Sequence, residues 1–223
     1  MSQGHWIEIT ADDGHRMPVW EAMPKGEPLG AVIVVQEIFG VNSHIRSVAQ
    51  RFADAGYQAL APALFQRVQA DYETGYEAAD ISAGIAIAGK TTVDDVMRDL
   101  RACVGHARAP VAVSGYCWGG TMSWVAAARV DGLAAAIIHY PGHVSSFIDE
   151  QPRCPVLAHF AERDQHPTPA QARAVLAAHP DVEGHFYQAG HGFGCDQRPS
   201  YDAPATTQAW ARTLAFLTRH LAG

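Results

Sequence analysis

The sequence predicts an α/β protein with a mostly parallel central sheet, helices on both faces and an antiparallel hairpin at its amino end. Three observations carry that prediction. Residues 6–10 alternate apolar and polar side chains, turn at Ala11-Asp-Asp-Gly14 and resume over 16–21, which is the pattern of an edge hairpin. Ala31-Val-Ile-Val-Val35 is an unbroken apolar run of the kind a sheet covered on both faces needs. From there onward, short apolar runs alternate with amphipathic stretches, so strands and helices take turns along the chain.

Taken in order, Pro24-Lys-Gly-Glu-Pro-Leu-Gly30 links the hairpin to the first buried strand, which ends at Gln36-Glu-Ile-Phe-Gly40. Asn42 or Ser43 can cap a helix over 44–53, stopped by Gly56, and residues 57–61 form the next strand, ended by Pro62. Residues 63–90 are expected to hold one helix and a mobile loop at the mouth of a pocket, with Tyr72 and Tyr76 four apart. Thr92-Val-Asp-Asp95 has the form of a capping box and opens a helix that turns Val96, Leu100, Cys103 and Val104 to one face. Strands follow at 111–113, 133–139, 155–160 and 184–188. A helix capped near Thr168-Pro169 runs to His179, and a closing helix over 201–220 turns Trp210, Leu214 and Leu217 inward.

With 223 residues, 48% of them apolar, the chain is expected to fold as a single α/β domain over 1–223. The net charge of −7, with 16 scattered basic residues, argues against nucleic acid as a partner. No run of eighteen apolar residues occurs, and Met-Ser-Gln-Gly-His-Trp-Ile-Glu lacks the form of a leader, so a soluble cytoplasmic protein without a membrane partner is expected. Cys103, Cys117, Cys154 and Cys195 lie far apart, which fits reduced thiols. The 12 histidines show no zinc-site spacing, so neither a metal nor a cofactor is expected. Oligomeric state is not readable.

The most informative stretch is Val111-Ala-Val-Ser-Gly-Tyr-Cys-Trp-Gly-Gly120. An apolar run stops at Ser114-Gly115 and an alanine-rich helical pattern begins a few residues later, so the chain must reverse sharply at Cys117. That is Gly-x-Nuc-x-Gly, the nucleophile elbow, in its strand–turn–helix setting. It puts Cys117 at a helix amino end, where the dipole and free N–H groups favour a thiolate. The plain alternative is a buried cysteine whose glycines serve packing alone.

Carboxyl ends of parallel strands gather on one sheet edge, so Glu37, Cys117, Asp164 and His191 can meet there. Nucleophile, acid, histidine is the order α/β-hydrolases show. His191, between two glycines, is the candidate base, and Asp164 its orienting acid, with Glu162 and Asp149 as rivals. The backbone N–H groups of Trp118 and Ile38 are the candidate oxyanion donors. Glu37 is open to a second reading, in which it bonds backbone N–H groups or Arg46.

Gln36-Glu-Ile-Phe-Gly-Val-Asn42, Gly115-Tyr-Cys-Trp-Gly-Gly120, Asp164-Gln-His-Pro-Thr-Pro169 and Gly190-His-Gly-Phe193 together resemble the dienelactone hydrolase (carboxymethylenebutenolidase) family, cysteine α/β-hydrolases, over nearly the whole chain. The resemblance implies a Cys117–Asp164–His191 triad and a Glu37 that contacts the resting thiol and helps generate the thiolate. The family grips its substrate's carboxylate with two arginines. Here Cys195 stands at one of those positions, and no arginine occurs between Arg67 and Arg98 to supply the other. Cysteine cannot imitate a guanidinium fork, so Tyr76, Phe193 and Arg198 are the remaining candidate substrate residues. The expected activity is cofactor-free hydrolysis of a small-molecule lactone or activated ester. Thioester hydrolysis on the same scaffold, a ligand-binding role, and a redox pairing of Cys117 with Cys195 are the alternatives.

Overall fold

A computed structural model describes residues 4–221. Eight strands form one sheet in the order β1-β2-β4-β3-β5-β6-β7-β8. The first two, β1 (His5–Thr10) and β2 (Arg16–Ala22), make the expected antiparallel edge hairpin, and β2 pairs antiparallel with β4 (Gln58–Pro62). The remaining strands, β3 (Ala31–Val35), β5 (Val111–Tyr116), β6 (Leu133–His139), β7 (Val156–Ala161) and β8 (Glu183–Tyr187), are parallel to β4 and to one another.

All five residues of β3 are fully buried, as a doubly covered strand requires, and its alternate side chains feed two different cores. Ala31, Ile33 and Val35 pack toward α3 (Val93–His106), α4 (Trp118–Arg129) and α5 (Pro169–Ala178). Val32 and Val34 pack toward α1 (Ser43–Asp54) and α6 (Ala203–Leu221). Asn42 caps α1, its side chain accepting from the Ile45 N–H at 3.2 Å. Thr92 caps α3 by accepting from the Asp95 N–H at 3.2 Å, and Cys103 fills core as expected. In α6, Leu217 is fully buried while Trp210 and Leu214 are half-buried.

Residues 63–90 hold the expected single helix, α2 (Ala78–Ala88). The loop before it is fastened rather than loose. Gly40 and Glu73 form a β-bridge, the Thr74 N–H donates to Phe39 at 3.1 Å, and Arg46 grips Glu73 through two bonds of 2.5 and 3.0 Å. Gly40 permits this because its φ is +77° and a Cβ there would lie 2.0 Å from the Tyr72 carbonyl oxygen. No helix among the described residues is long and apolar enough to cross a membrane.

Candidate active site

β5 runs buried to Tyr116, and α4 begins at Trp118, so one residue makes the turn. Cys117 has φ 54° and ψ −117°, a conformation costing about 1–3 kcal/mol in a residue other than glycine. Its neighbours hold it there. The Cys117 N–H donates to the His139 carbonyl at 3.0 Å, and its own carbonyl accepts from the Gly142 N–H at 3.2 Å. A Cβ on Gly115 would meet the Gly119 carbonyl oxygen at 2.0 Å, and one on Gly119 would meet those of Gln36 and Val35 at 2.3 and 2.5 Å. The glycines are therefore demanded by backbone passing close to backbone.

The sulfur so presented meets an imidazole from the far end of the sheet. Cys117 Sγ lies 3.0 Å from His191 Nε2, and His191 Nδ1 lies 2.9 Å from Asp164 Oδ2. The second Asp164 oxygen accepts from the His166 N–H at 2.8 Å, which fixes the carboxylate's orientation. Of the rivals for the acid, Glu162 is paired with Arg173 at 2.6 Å. Burial alone would push the His191 imidazole down. The Cys117 sulfur and the Asp164 carboxylate outweigh it and push the group up to about 10. Neither the Trp118 nor the Ile38 N–H is spent in a turn or cap hydrogen bond, which leaves both free to serve an oxyanion.

Glu37 is fully buried beyond the end of β3. Its side-chain partner in this geometry is neither Arg46 nor the Cys117 thiol. Arg46 is taken by Glu73, the Cys117 thiol faces His191, and Glu37 Oε1 instead lies 3.4 Å from Arg198 Nη1. Arg198 thus does reach inward, passing under Gly192, where a Cβ would stand 2.5 Å from Nη1, and over the rings of Phe39 and Tyr76 at 5.6 and 5.9 Å. Tyr76 is half-buried and its hydroxyl accepts from Asn42 Nδ2 at 2.9 Å. Burial and the Glu37 charge push that phenol far up.

Phe193 lies on the loop after His191. At 1% exposed it is packed against Tyr140 and Tyr187 and supports the loop that carries His191. A phenylalanine beside a catalytic-looking histidine gives no burial period on a loop, so sequence pattern could not tell floor from wall. Cys195 is also fully buried, and burial pushes its thiol up to about 11, which weighs against a reactive redox partner for Cys117. His44 was not singled out in the sequence, yet its ring is buried next to Glu37 and Cys195. The three come from separated segments with no ligand spacing to announce them.

Residues 17–221 match the model of the dienelactone hydrolase family. A protein of Methylorubrum extorquens provisionally named carboxymethylenebutenolidase is 34% identical over 229 residues, covering 92% of this chain and 77% of the relative. Carboxymethylenebutenolidase 1 of Cupriavidus pinatubonensis is 30% identical over 226 residues and 95% of both chains. The crystal structure of a provisionally assigned dienelactone hydrolase from Klebsiella pneumoniae superposes with a TM-score of 0.84 at 30% identity, covering 97% of this chain and 98% of that one. With these relatives and the α/β-hydrolase fold described above, the chain belongs to the dienelactone hydrolase family.

Proposed function

We propose that this protein, as one domain over 1–223, hydrolyses small lactones or activated esters without a cofactor, through a thioester on Cys117. The observation that carries the reading is the relay from sulfur to imidazole to carboxylate, with separations of 3.0 and 2.9 Å, set at the amino end of α4. The raised His191 group favours the imidazolium form at neutral pH. Sγ attacks the acyl carbon, and the oxyanion that forms accepts from the Trp118 and Ile38 N–H groups, each such donor contributing about 3 kcal/mol. As the C–O bond breaks, His191 gives its proton to the leaving oxygen, which in a lactone stays tethered to the acyl group. The neutral imidazole then takes a proton from water as the water oxygen attacks the thioester. The C–S bond breaks, the carboxylic acid leaves, and thiolate and imidazolium are restored.

Substrate charge is the distinguishing feature. Cys195 replaces one arginine of the family's clamp, and the Arg198 charge is already partly engaged by Glu37. Preference for small anionic lactones is therefore weakened. The test is to compare kcat/KM for a dienelactone and for its neutral methyl ester in the natural protein and in Arg198→Ala. A strong preference for the acid that disappears in the variant would overturn the weakened clamp. For the chemistry, Cys117→Ala and His191→Ala are expected to abolish aryl-ester hydrolysis, and turnover that survives both changes removes this triad from consideration.

A further inference from the structure

One group of buried polar side chains is left over once the relay is described. Glu37, beyond the end of β3, His44, in the first turn of α1, and Cys195, on the loop after His191, each offer one donor atom, and these atoms lie within 4.8 Å of one another. Glu37 Oε2 and His44 Nε2 have no hydrogen-bond partner in the protein, although their side chains are only 1% and 3% exposed. Two orphaned polar atoms on neighbouring buried side chains are costly unless something binds them.

The surroundings favour a cation. His44 Nδ1 lies 3.3 Å from Asp196 Oδ1, so Nδ1–H donates to the carboxylate and the Nε2 lone pair is left free; metal-bound histidines are oriented in this way. The Glu37 carboxylate is buried beside the Arg198 guanidinium and the Asp196 carboxylate lies at the rim beside His44, so two acids face Arg198 and Arg51, and the proton that Cys195 releases on binding an ion leaves a thiolate to offset its charge. A cavity lined by His44, Ser47, Arg51, Gly194 and Asp196 lies on the His44 side of the cluster. The donor set of one sulfur, one imidazole nitrogen and one carboxylate oxygen suits a borderline-soft ion and not calcium or magnesium, which take oxygen.

We propose that Glu37, His44 and Cys195 form a binding site for a single divalent ion of the zinc class, with a fourth position open to water or a small ligand. Bond lengths of roughly 2.0–2.3 Å put tetrahedral ligand atoms about 3.3–3.6 Å apart, so the three donors close by little more than 1 Å, within reach of side-chain rotation. The bound ion ties the end of β3 and the start of α1 to the loop that carries His191 and Arg198.

Cobalt(II) is the probe. Metal-free protein, stripped with a chelator, is expected to bind one equivalent, with a thiolate-to-metal charge-transfer band and the strong visible absorption of a four-coordinate ion, both removed by added zinc. Cys195→Ser is expected to lose the charge-transfer band, and His44→Gln to weaken binding at least tenfold. Cys117→Ser, which removes the neighbouring thiol of the relay, is expected to keep the band, and its Tm is expected to rise with zinc as the natural protein's does. Far-UV circular dichroism confirms that each variant is folded, and if Cys195→Ser is not, His44→Gln decides. The proposal is overturned by natural protein that shows no charge-transfer band. A band that persists in Cys195→Ser and vanishes in Cys117→Ser overturns it equally, and leaves the relay itself intact.

Discussion

His139, the last residue of β6, lies flat on Tyr116 with ring centroids 4.3 Å apart and planes 6° from parallel, and stacks on His159 at 4.7 Å. It is 4% exposed, and its Nε2 has no protein partner. Burial, helped by the Arg51 charge, pushes the imidazole from its ordinary 6.5 down to about 3. The folded protein therefore holds His139 neutral where the unfolded chain accepts a proton. Because the folded value is the lower one, its contribution is full above pH 6.5 and is lost as pH falls toward 3. At 1.36 kcal/mol per pH unit the loss from this residue is about 2 kcal/mol at pH 5 and about 4 kcal/mol by pH 3. That is a large part of a typical stability of about 5–15 kcal/mol. His139→Phe keeps an aromatic plate in the stack and removes the proton site. Urea unfolding followed by circular dichroism at pH 8 and pH 5 should show the variant losing about 2 kcal/mol less than the natural protein over that interval. Stability-against-pH curves that run parallel for the two proteins would refute the reasoning.

Three other outcomes are expected. Asp164→Asn removes a charge that holds His191 up, so the alkaline limb of kcat/KM, near pH 10 in the natural protein, should move to lower pH while kcat falls on the order of 10³–10⁴-fold; a limb that stays in place contradicts the relay. Gly119→Ala drives a Cβ to 2.3 Å from the Gln36 carbonyl oxygen, so β3 and the elbow must part, and about a hundredfold loss of ester hydrolysis in a folded variant is the expected reading. Arg67→Ala strands the fully buried Asp99 carboxylate, which Arg67 holds at 2.7 Å, and should cost about 3–5 kcal/mol in denaturant unfolding. Full stability in that variant would show Asp99 to be satisfied by other means.

The fold was legible wherever one residue's burial repeats in its neighbours. The unbroken run of β3, the alternation of the hairpin and the glycines around Cys117 each impose a pattern that a single chain displays. The relay residues were legible because strand ends converge on one edge, which makes positions far apart in sequence neighbours in space. Partnerships across loops were not legible. Nothing in the order of residues tells that Arg198 threads under Gly192 to Glu37, or that Phe193 turns down while His191 turns up. The fastening of residues 73–74 to Phe39 and Gly40 is made by backbone atoms, which leave no trace in side-chain pattern.

Because the Cys117 main chain is hydrogen-bonded on both its amide and its carbonyl side, the thiol can reposition itself only by rotation about one side-chain bond. On the proposed mechanism, an incoming acyl group is met along one line, with the imidazole on one flank. A flat carbonyl approaching that line presents one of its two faces to the sulfur. On the proposed mechanism, the bent main chain thus sets which hand of tetrahedral adduct forms at the acyl carbon.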